Sequence, residues 1–91
     1  MSDVTAREHY DNQVIAGPGG VMTDEVGVIT GDLVVRTEVH DDQAHVAVQY
    51  PGADEWYTLA GSPAPLAGQT GEQMHEAVLA AIQAGLPGGL A

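Results

Sequence analysis

Two histidines and a glutamate in alternating positions are the residues of this sequence best suited to chemistry. Glu38, His40 and His45 flank Asp41-Asp42, within two runs that alternate apolar and polar residues. If both runs are strands joined by a two-residue turn, the three side chains share one polar face, with Glu38 directly opposite His45. Two imidazoles and a carboxylate can hold Zn, Ni or Fe. The spacing matches no established motif, and solvated histidines on a strand face are the plainer interpretation.

The strands that would position these residues are the clearest feature of the sequence. Residues 33–39 and 44–50 alternate with period two and are rich in Val and Thr, which is typical of half-buried strands. Asp tolerates the positive φ that a two-residue hairpin turn requires. Such a turn places Val39 opposite Ala44, and it extends the pairing to Leu33 opposite Tyr50. The apolar residues at the odd positions of the first run and at the even positions of the second run then face one side of the sheet.

Two further strands are expected next to this hairpin. Residues 56–60 read as a strand that follows the turn at Pro51-Gly52. Residues 26–30 read as a first strand, turned by Gly31-Asp32 so that Val28 lies opposite Val35. The prolines at 63 and 65 are expected to end the sheet.

The C-terminal third predicts one helix. Thr70 is a good N-cap, Gln73 completes a capping box, and Gly85 is the expected C-terminal stop. One stripe of apolar residues recurs every four positions and is expected to face the sheet. Its members are Met74, Val78 and Ile82.

The N-terminal segment, residues 2–16, has three interpretations. Thr5-Ala6-Arg7-Glu8 has the form of a capping box and favours a short helix. A strand through residues 13–15 and a frayed tail are alternatives. Ala16-Gly17-Pro18-Gly19-Gly20 is a loop or hinge.

These elements assemble into a single small α+β domain covering residues 1–91. We expect a four-stranded antiparallel meander, order 1-2-3-4, with the C-terminal helix packed on one face and a short N-terminal helix as an optional second cover. Residues 1–20 and 86–91 are expected to be loosely ordered. One sheet face and two edges stay open, and open edges invite pairing with another chain, including a second copy.

Charge narrows the classes of partner. The formal net charge is -11, with two arginines and no lysine, so direct binding to nucleic acid or to an anionic membrane is disfavoured. A basic protein partner or a cation is compatible with this charge. The sequence has no cysteine, and it shows no apolar run long enough for a membrane span. We expect a cytoplasmic protein.

The best candidates for partner binding are Trp56, Asp54, Glu55, Asp41 and Asp42. Trp dominates binding hot spots when it is exposed, and the acids suit a basic partner. The meander also groups Asp24 and Glu25 with the Asp41-Asp42 turn, and Asp32 with Asp54-Glu55. Neither group has the order of a calcium loop, and turns are where Asp is common in any case.

Catalysis has little support from the sequence. His75 is expected at the boundary between the helix and solvent, and Ser62 has no G-x-S-x-G context. We therefore expect a non-catalytic protein–protein interaction module, such as a regulator, an immunity-type inhibitor or an accessory subunit, that needs no cofactor. An acidic mimic of double-stranded DNA is a special case. The alternative is a small metal-binding protein or enzyme that uses Glu38, His40 and His45 to hold a divalent metal.

Overall fold

The structure, a computed structural model, describes residues 8–90 and has an α+β fold built on an antiparallel sheet. The element order is β1 (Glu8–Ile15), β2 (Val21–Thr23), β3 (Gly27–Ile29), β4 (Asp32–His40), β5 (Gln43–Gln49), β6 (Tyr57–Thr58), β7 (Ala64–Pro65) and α1 (Gly71–Ala84). Five strands form the main sheet, in the order β1-β4-β5-β6, with β7 also paired to β5. Strands β2 and β3 form a separate hairpin.

The central hairpin β4–β5 has the predicted turn and register. Asp41 and Asp42 both have positive φ, at 51° and 64°. Val39 lies opposite Ala44, and Glu38 lies opposite His45. The pairing ends at Val34 and Gln49, because the chain turns back at residues 50–53, where Ala53 N–H donates to the carbonyl of Tyr50. Tyr50, expected in the core, is therefore 39% exposed.

The predicted 1-2-3-4 meander is wrong at its first strand. The neighbour of β4 is β1, which pairs over eight residues from Glu8 opposite Val39 to Ile15 opposite Asp32. A ladder of eight regular pairs supplies more backbone hydrogen bonds than the short segment 26–30 could offer, so β1 takes that place. The strand alternative for the N-terminal segment is thus the observed one over Glu8–Ile15, and the helix alternative does not hold there. Thr5, Ala6 and Arg7 lie outside the described residues.

Residues 26–30 fold back on β2 instead of pairing with β4. Gly27 lies opposite Thr23 and has a φ of 75°, a backbone angle that residues other than glycine rarely adopt. The Thr23 hydroxyl donates to the Gly27 carbonyl and accepts from Val26 N–H, at 2.7 and 3.2 Å. This local turn gives β3 its partner, so Val28 does not reach Val35.

The strand predicted at residues 56–60 is observed only over Tyr57–Thr58, because the chain crosses from β5 to β2 there. Leu59 N–H donates to the carbonyl of Val46, whereas Ala60 N–H donates to that of Met22. Pairing along β5 resumes at β7, a two-residue edge strand that contains Pro65. The sheet was expected to have ended before this point. Proline is tolerated at such an edge.

Helix α1 packs on one face of the sheet and closes the core. Thr70 and Gln73 form the predicted capping box, and Gly85 caps the C-terminus. The loop at residues 17–20 is bound to this end of the helix, since Gly17 N–H donates to the carbonyl of Ile82. The largest fully buried apolar side chains come from both sheets and the helix: Leu33, Leu59, Ile82, Val21, Val35, Val46, Val48 and Val78. Nothing helical within residues 8–90 is long and apolar enough to span a membrane.

Candidate functional site

Among residues 8–90, the side chains on the face of the main sheet opposite α1 are exposed or half-buried, and we call it the open face. Its outward side chains follow from the registers of β1, β4 and β5, in three rows across the strands. The rows are His9–Glu38–His45, Asp11–Arg36–Ala47 and Gln13–Val34–Gln49. His40 lies beyond the first row, opposite Gln43, and Thr58 of β6 continues the second row from Ala47.

Three of the four histidines gather around Glu38 on the open face. His45 lies opposite Glu38 as predicted, and the Nε2 atom of His40 is 3.7 Å from Glu38 Oε1. The rings of His40 and His45 are 5.0 Å apart and nearly perpendicular. His9 also lies opposite Glu38, on the neighbouring strand β1. The sequence interpretation missed His9, because β1 is the strand that it did not assign.

The residues proposed for metal binding therefore do share a face. Within residues 8–90, however, no group of three or more His, Asp or Glu side chains is arranged to hold a metal ion. Metal binding by Glu38, His40 and His45 stays a prediction.

Arg36 occupies the middle of the open face and links two of its neighbours. Its Nε and Nη2 atoms donate to the two carboxylate oxygens of Asp11, at 2.8 and 2.9 Å. The hydrogen bonds from Arg36 lower the pKa of Asp11, and the same contact raises the pKa of Arg36. The pair is fork-like and partly exposed, so Asp11 is held ionised beside a fixed guanidinium.

Trp56 lies under the same guanidinium. The central carbon of that group is 4.5 Å from the centre of the Trp56 ring, which is cation–π distance. The indole is half-buried beside Arg36. Asp11, Arg36 and Trp56 thus form a continuous line across the open face.

The acidic candidates lie in turns. Asp54 and Glu55 are exposed just before Trp56, and Glu55 accepts a hydrogen bond of 2.8 Å from the Tyr57 hydroxyl. Asp41 and Asp42 line an open cavity of about 600 Å³ beside the start of α1. The cavity is lined by Glu8, Val39, Asp41, Asp42, Leu66, Gln69, Thr70 and Gly71.

Glu25 has a structural partner of its own. Its carboxylate accepts hydrogen bonds from the backbone N–H and the hydroxyl of Thr58, both at 2.7 Å. These bonds lower its pKa. The grouping of Glu25 with Asp41-Asp42 depended on residues 26–30 pairing with β4, and that pairing is not present.

His75 is buried, which corrects its expected place at the boundary with solvent. Its side chain is 2% exposed, and both ring nitrogens have partners: Thr37 Oγ1 at 2.8 Å and Asn12 Oδ1 at 2.9 Å. Because an amide oxygen only accepts, Nε2 carries the proton and Nδ1 accepts from the Thr37 hydroxyl. Burial lowers the pKa of His75, so the ring is held neutral. The contact joins α1 to the sheet.

Ser62 also has a structural contact. Its Oγ atom accepts a hydrogen bond of 2.8 Å from Val46 N–H, between the stretches where β6 and β7 pair with β5. The hydroxyl thus satisfies a backbone donor at the edge of β5.

What the open face offers chemically is charge, hydrogen bonding and an aromatic contact.

Comparisons with protein-family models, with curated proteins and with solved structures gave no match for this chain.

Proposed function

We propose that this chain is a non-catalytic protein–protein interaction module that binds a basic protein partner through its open face. Regulators, immunity-type inhibitors and accessory subunits are the kinds of protein that act in this way. The observation that carries the proposal is the line of Asp11, Arg36 and Trp56 across the open face. Trp and Arg are the side chains most often found at binding hot spots.

The arrangement prepares Trp56 for contact. Arg36 is held by the two hydrogen bonds that it donates to Asp11, and its stacking on the indole restricts the indole in turn. A side chain ordered before binding loses less entropy in the complex. The exposed carboxylates of Asp54 and Glu55 lie next to the indole in sequence and suit Lys or Arg of a partner.

Affinity capture from a lysate of the native host tests this proposal. The immobilised full chain is compared with Trp56→Ala and with Gln83→Ala, an exposed helix position that serves as the control. We expect a basic partner that Gln83→Ala retains and that Trp56→Ala binds at least about tenfold more weakly. Its affinity should fall with added salt, because the chain carries a net charge of -11. A partner bound equally by both variants would contradict the proposed surface.

The alternative, a metal-binding protein, rests on the closeness of Glu38, His40 and His45 on the open face. Calorimetric titration with Zn, Ni and Fe separates it from the leading proposal. Submicromolar binding that is lost in His40→Ala and His45→Ala would favour the alternative, whereas the absence of heat would remove it.

A further inference from the structure

Within residues 8–90, strand β1 pairs with β4 alone and forms an edge of the main sheet, and we propose that this edge receives an extended basic segment of the partner as an added strand. This inference rests on the proposed function, because it keeps a basic protein as the partner. It adds the mode of recognition, in which backbone hydrogen bonds supply affinity and the alternating side chains supply specificity.

The register determines which backbone groups of β1 do not bond to β4. Ala16 N–H donates to the carbonyl of Gly31, the next pair after Ile15 opposite Asp32. In an antiparallel ladder the direction of these groups alternates, so the even-numbered residues of β1 bond to β4. The odd-numbered residues therefore direct N–H and C=O away from the sheet. They are His9, Asp11, Gln13 and Ile15.

In the part of the chain that the structure describes, the opposite side of the main sheet offers no comparable edge. Along β5, the strands β6 and β7 pair at two places, and Ser62 and Leu59 both bond to Val46 between them. Beyond β6, Ala60 bonds to Met22 and so joins this side to the β2–β3 hairpin. The outer strand of that hairpin, β3, has three residues. Within residues 8–90, β1 is the long edge that a segment can join.

The edge is regular and held in place before binding. All eight residues of β1 pair with β4 without a bulge, and none is Gly or Pro. His75 bonds to Asn12 of β1, and its ring stacks on Tyr10 at 5.5 Å. The helix thus fixes the strand from the core side. A preformed edge of this kind costs little to order when another strand is added.

Charge selects a basic segment over a second copy of this chain. Glu8 on β1 accepts a hydrogen bond from the Tyr10 hydroxyl, and Glu8 and Glu72 both raise the pKa of Tyr10, which places carboxylates on the helix side of the edge. Asp11 faces the open side, where Arg36 balances its charge. A second copy would bring the same acids and another net charge of -11. Lysines or arginines of a partner would instead meet opposite charge.

Amide hydrogen exchange on the full chain tests the inference directly. The probe is a short synthetic peptide of alternating lysine and threonine, and its control is the same peptide N-methylated along one edge, which cannot pair through that edge. We expect the unmodified peptide to slow exchange severalfold at His9, Asp11, Gln13 and Ile15, and the control peptide to leave it unchanged.

Two variants of one residue isolate the backbone contribution. Gln13→Pro removes an outward N–H without removing a bond to β4, whereas Gln13→Ala keeps the N–H. We expect Gln13→Pro to bind the peptide about tenfold more weakly than Gln13→Ala. The control peptide still decides the question if Gln13→Pro does not fold.

Three results would overturn the inference. One is equal binding of the peptide and its N-methylated control. Another is a free chain that is dimeric by mass with the four amides already protected, because a second copy would then occupy the edge. The third is a captured partner that depends on Trp56 but leaves these four amides unprotected. That last result would support the proposed function and would show that the partner does not bind at the β1 edge.

Discussion

The Nδ1 atom of His75 lies 2.8 Å from the hydroxyl oxygen of Thr37, and this contact joins the helix to the middle of the sheet. Both residues are buried, His75 at 2% and Thr37 at 0% exposure. Within the described part of the chain, no buried side-chain nitrogen or oxygen lacks a partner. Because a hydrogen bond is directional, the imidazole orients α1 over β4 in addition to the apolar packing. Leaving its nitrogen unpaired there would lower the free energy of unfolding.

The neutral state of His75 predicts a pH dependence of stability. Burial lowers its pKa below the ordinary 6.5, and this outweighs the opposite effect of the Glu76 and Asp11 carboxylates. Between the two pKa values the unfolded chain binds the proton and the folded chain does not, so folding stability falls as the pH decreases below about 6.5. Above that pH the contribution is fully present. Urea unfolding from about pH 7.5 to about pH 5 measures it. A slope that is unchanged in His75→Gln would contradict this origin.

Removal of the Thr37 hydroxyl should expose the cost of an unpaired imidazole. Thr37→Val keeps the shape of the side chain but leaves Nδ1 of His75 without a donor. We expect a loss of about 1–3 kcal/mol in the free energy of unfolding. Thr37→Ser keeps the hydroxyl and removes one methyl group, with an expected loss of about 1 kcal/mol. Thermal unfolding of both variants compares them, and a Thr37→Val variant as stable as the unaltered protein would show that the hydroxyl contributes nothing.

The contact between Arg36 and Trp56 should be measurable as a coupling energy. In a double-mutant cycle of Arg36→Met and Trp56→Leu we expect about 0.5–2 kcal/mol, because the guanidinium lies over a partly desolvated ring. Asp11→Asn is the control for the ion pair and should cost about 0–1 kcal/mol, since that pair is partly exposed. Additive losses in the cycle would show that the stacking contributes nothing.

The turn between β4 and β5 leaves room for stabilisation. Asp42 has a φ of 64°, a value that glycine adopts without strain. We expect Asp42→Gly to raise the free energy of unfolding by about 0.5 kcal/mol, because Gly is the preferred second residue of this turn type. Asp42→Val should lower it by about 1–2 kcal/mol. Chemical denaturation of the two variants gives both values, and a loss in Asp42→Gly would show that the Asp side chain makes a stabilising contact.

Local signals allowed half of the fold to be predicted. The alternation of residues 33–50 around Asp41-Asp42 determines a register by itself, since a slip of one residue would turn Val35 and Val48 to opposite faces. The capping box of Thr70 and Gln73 likewise involves neighbours within one turn. In both cases the partners are close in sequence.

The parts that were wrong depend on distant partners. Strand β1 has few apolar residues, and Val14 becomes a core residue only because Leu33 lies opposite it. The segment at residues 26–30 looks more apolar, but the bonds of Thr23 to Val26 and Gly27 decide its partner. Periodicity describes a strand and does not choose between neighbours.

His75 could have been recognised from its spacing. Together with Val78, Leu79 and Ile82 it forms the i, i+3, i+4, i+7 pattern of a helix face that is buried. The expected stripe began one residue earlier, at Met74, because histidine was counted as polar. For the open face, Glu38, His45 and Trp56 were recognisable, whereas the contacts of Arg36 with Asp11 and Trp56 needed the long-range pairing of β1 and the path of β6.

The bond between Met22 and Leu86 has a consequence for how the chain reaches its native state. Leu86 lies after the helix, yet its carbonyl accepts from Met22 N–H, and its own N–H donates to Gly20. Because Met22 and Leu86 are more than sixty residues apart, their bond closes a long loop before β2 is complete. We therefore expect the β4–β5 hairpin to form early and the β2–β3 hairpin to dock last. Folding should therefore be slow for a protein of this size, with its final step set by loop closure.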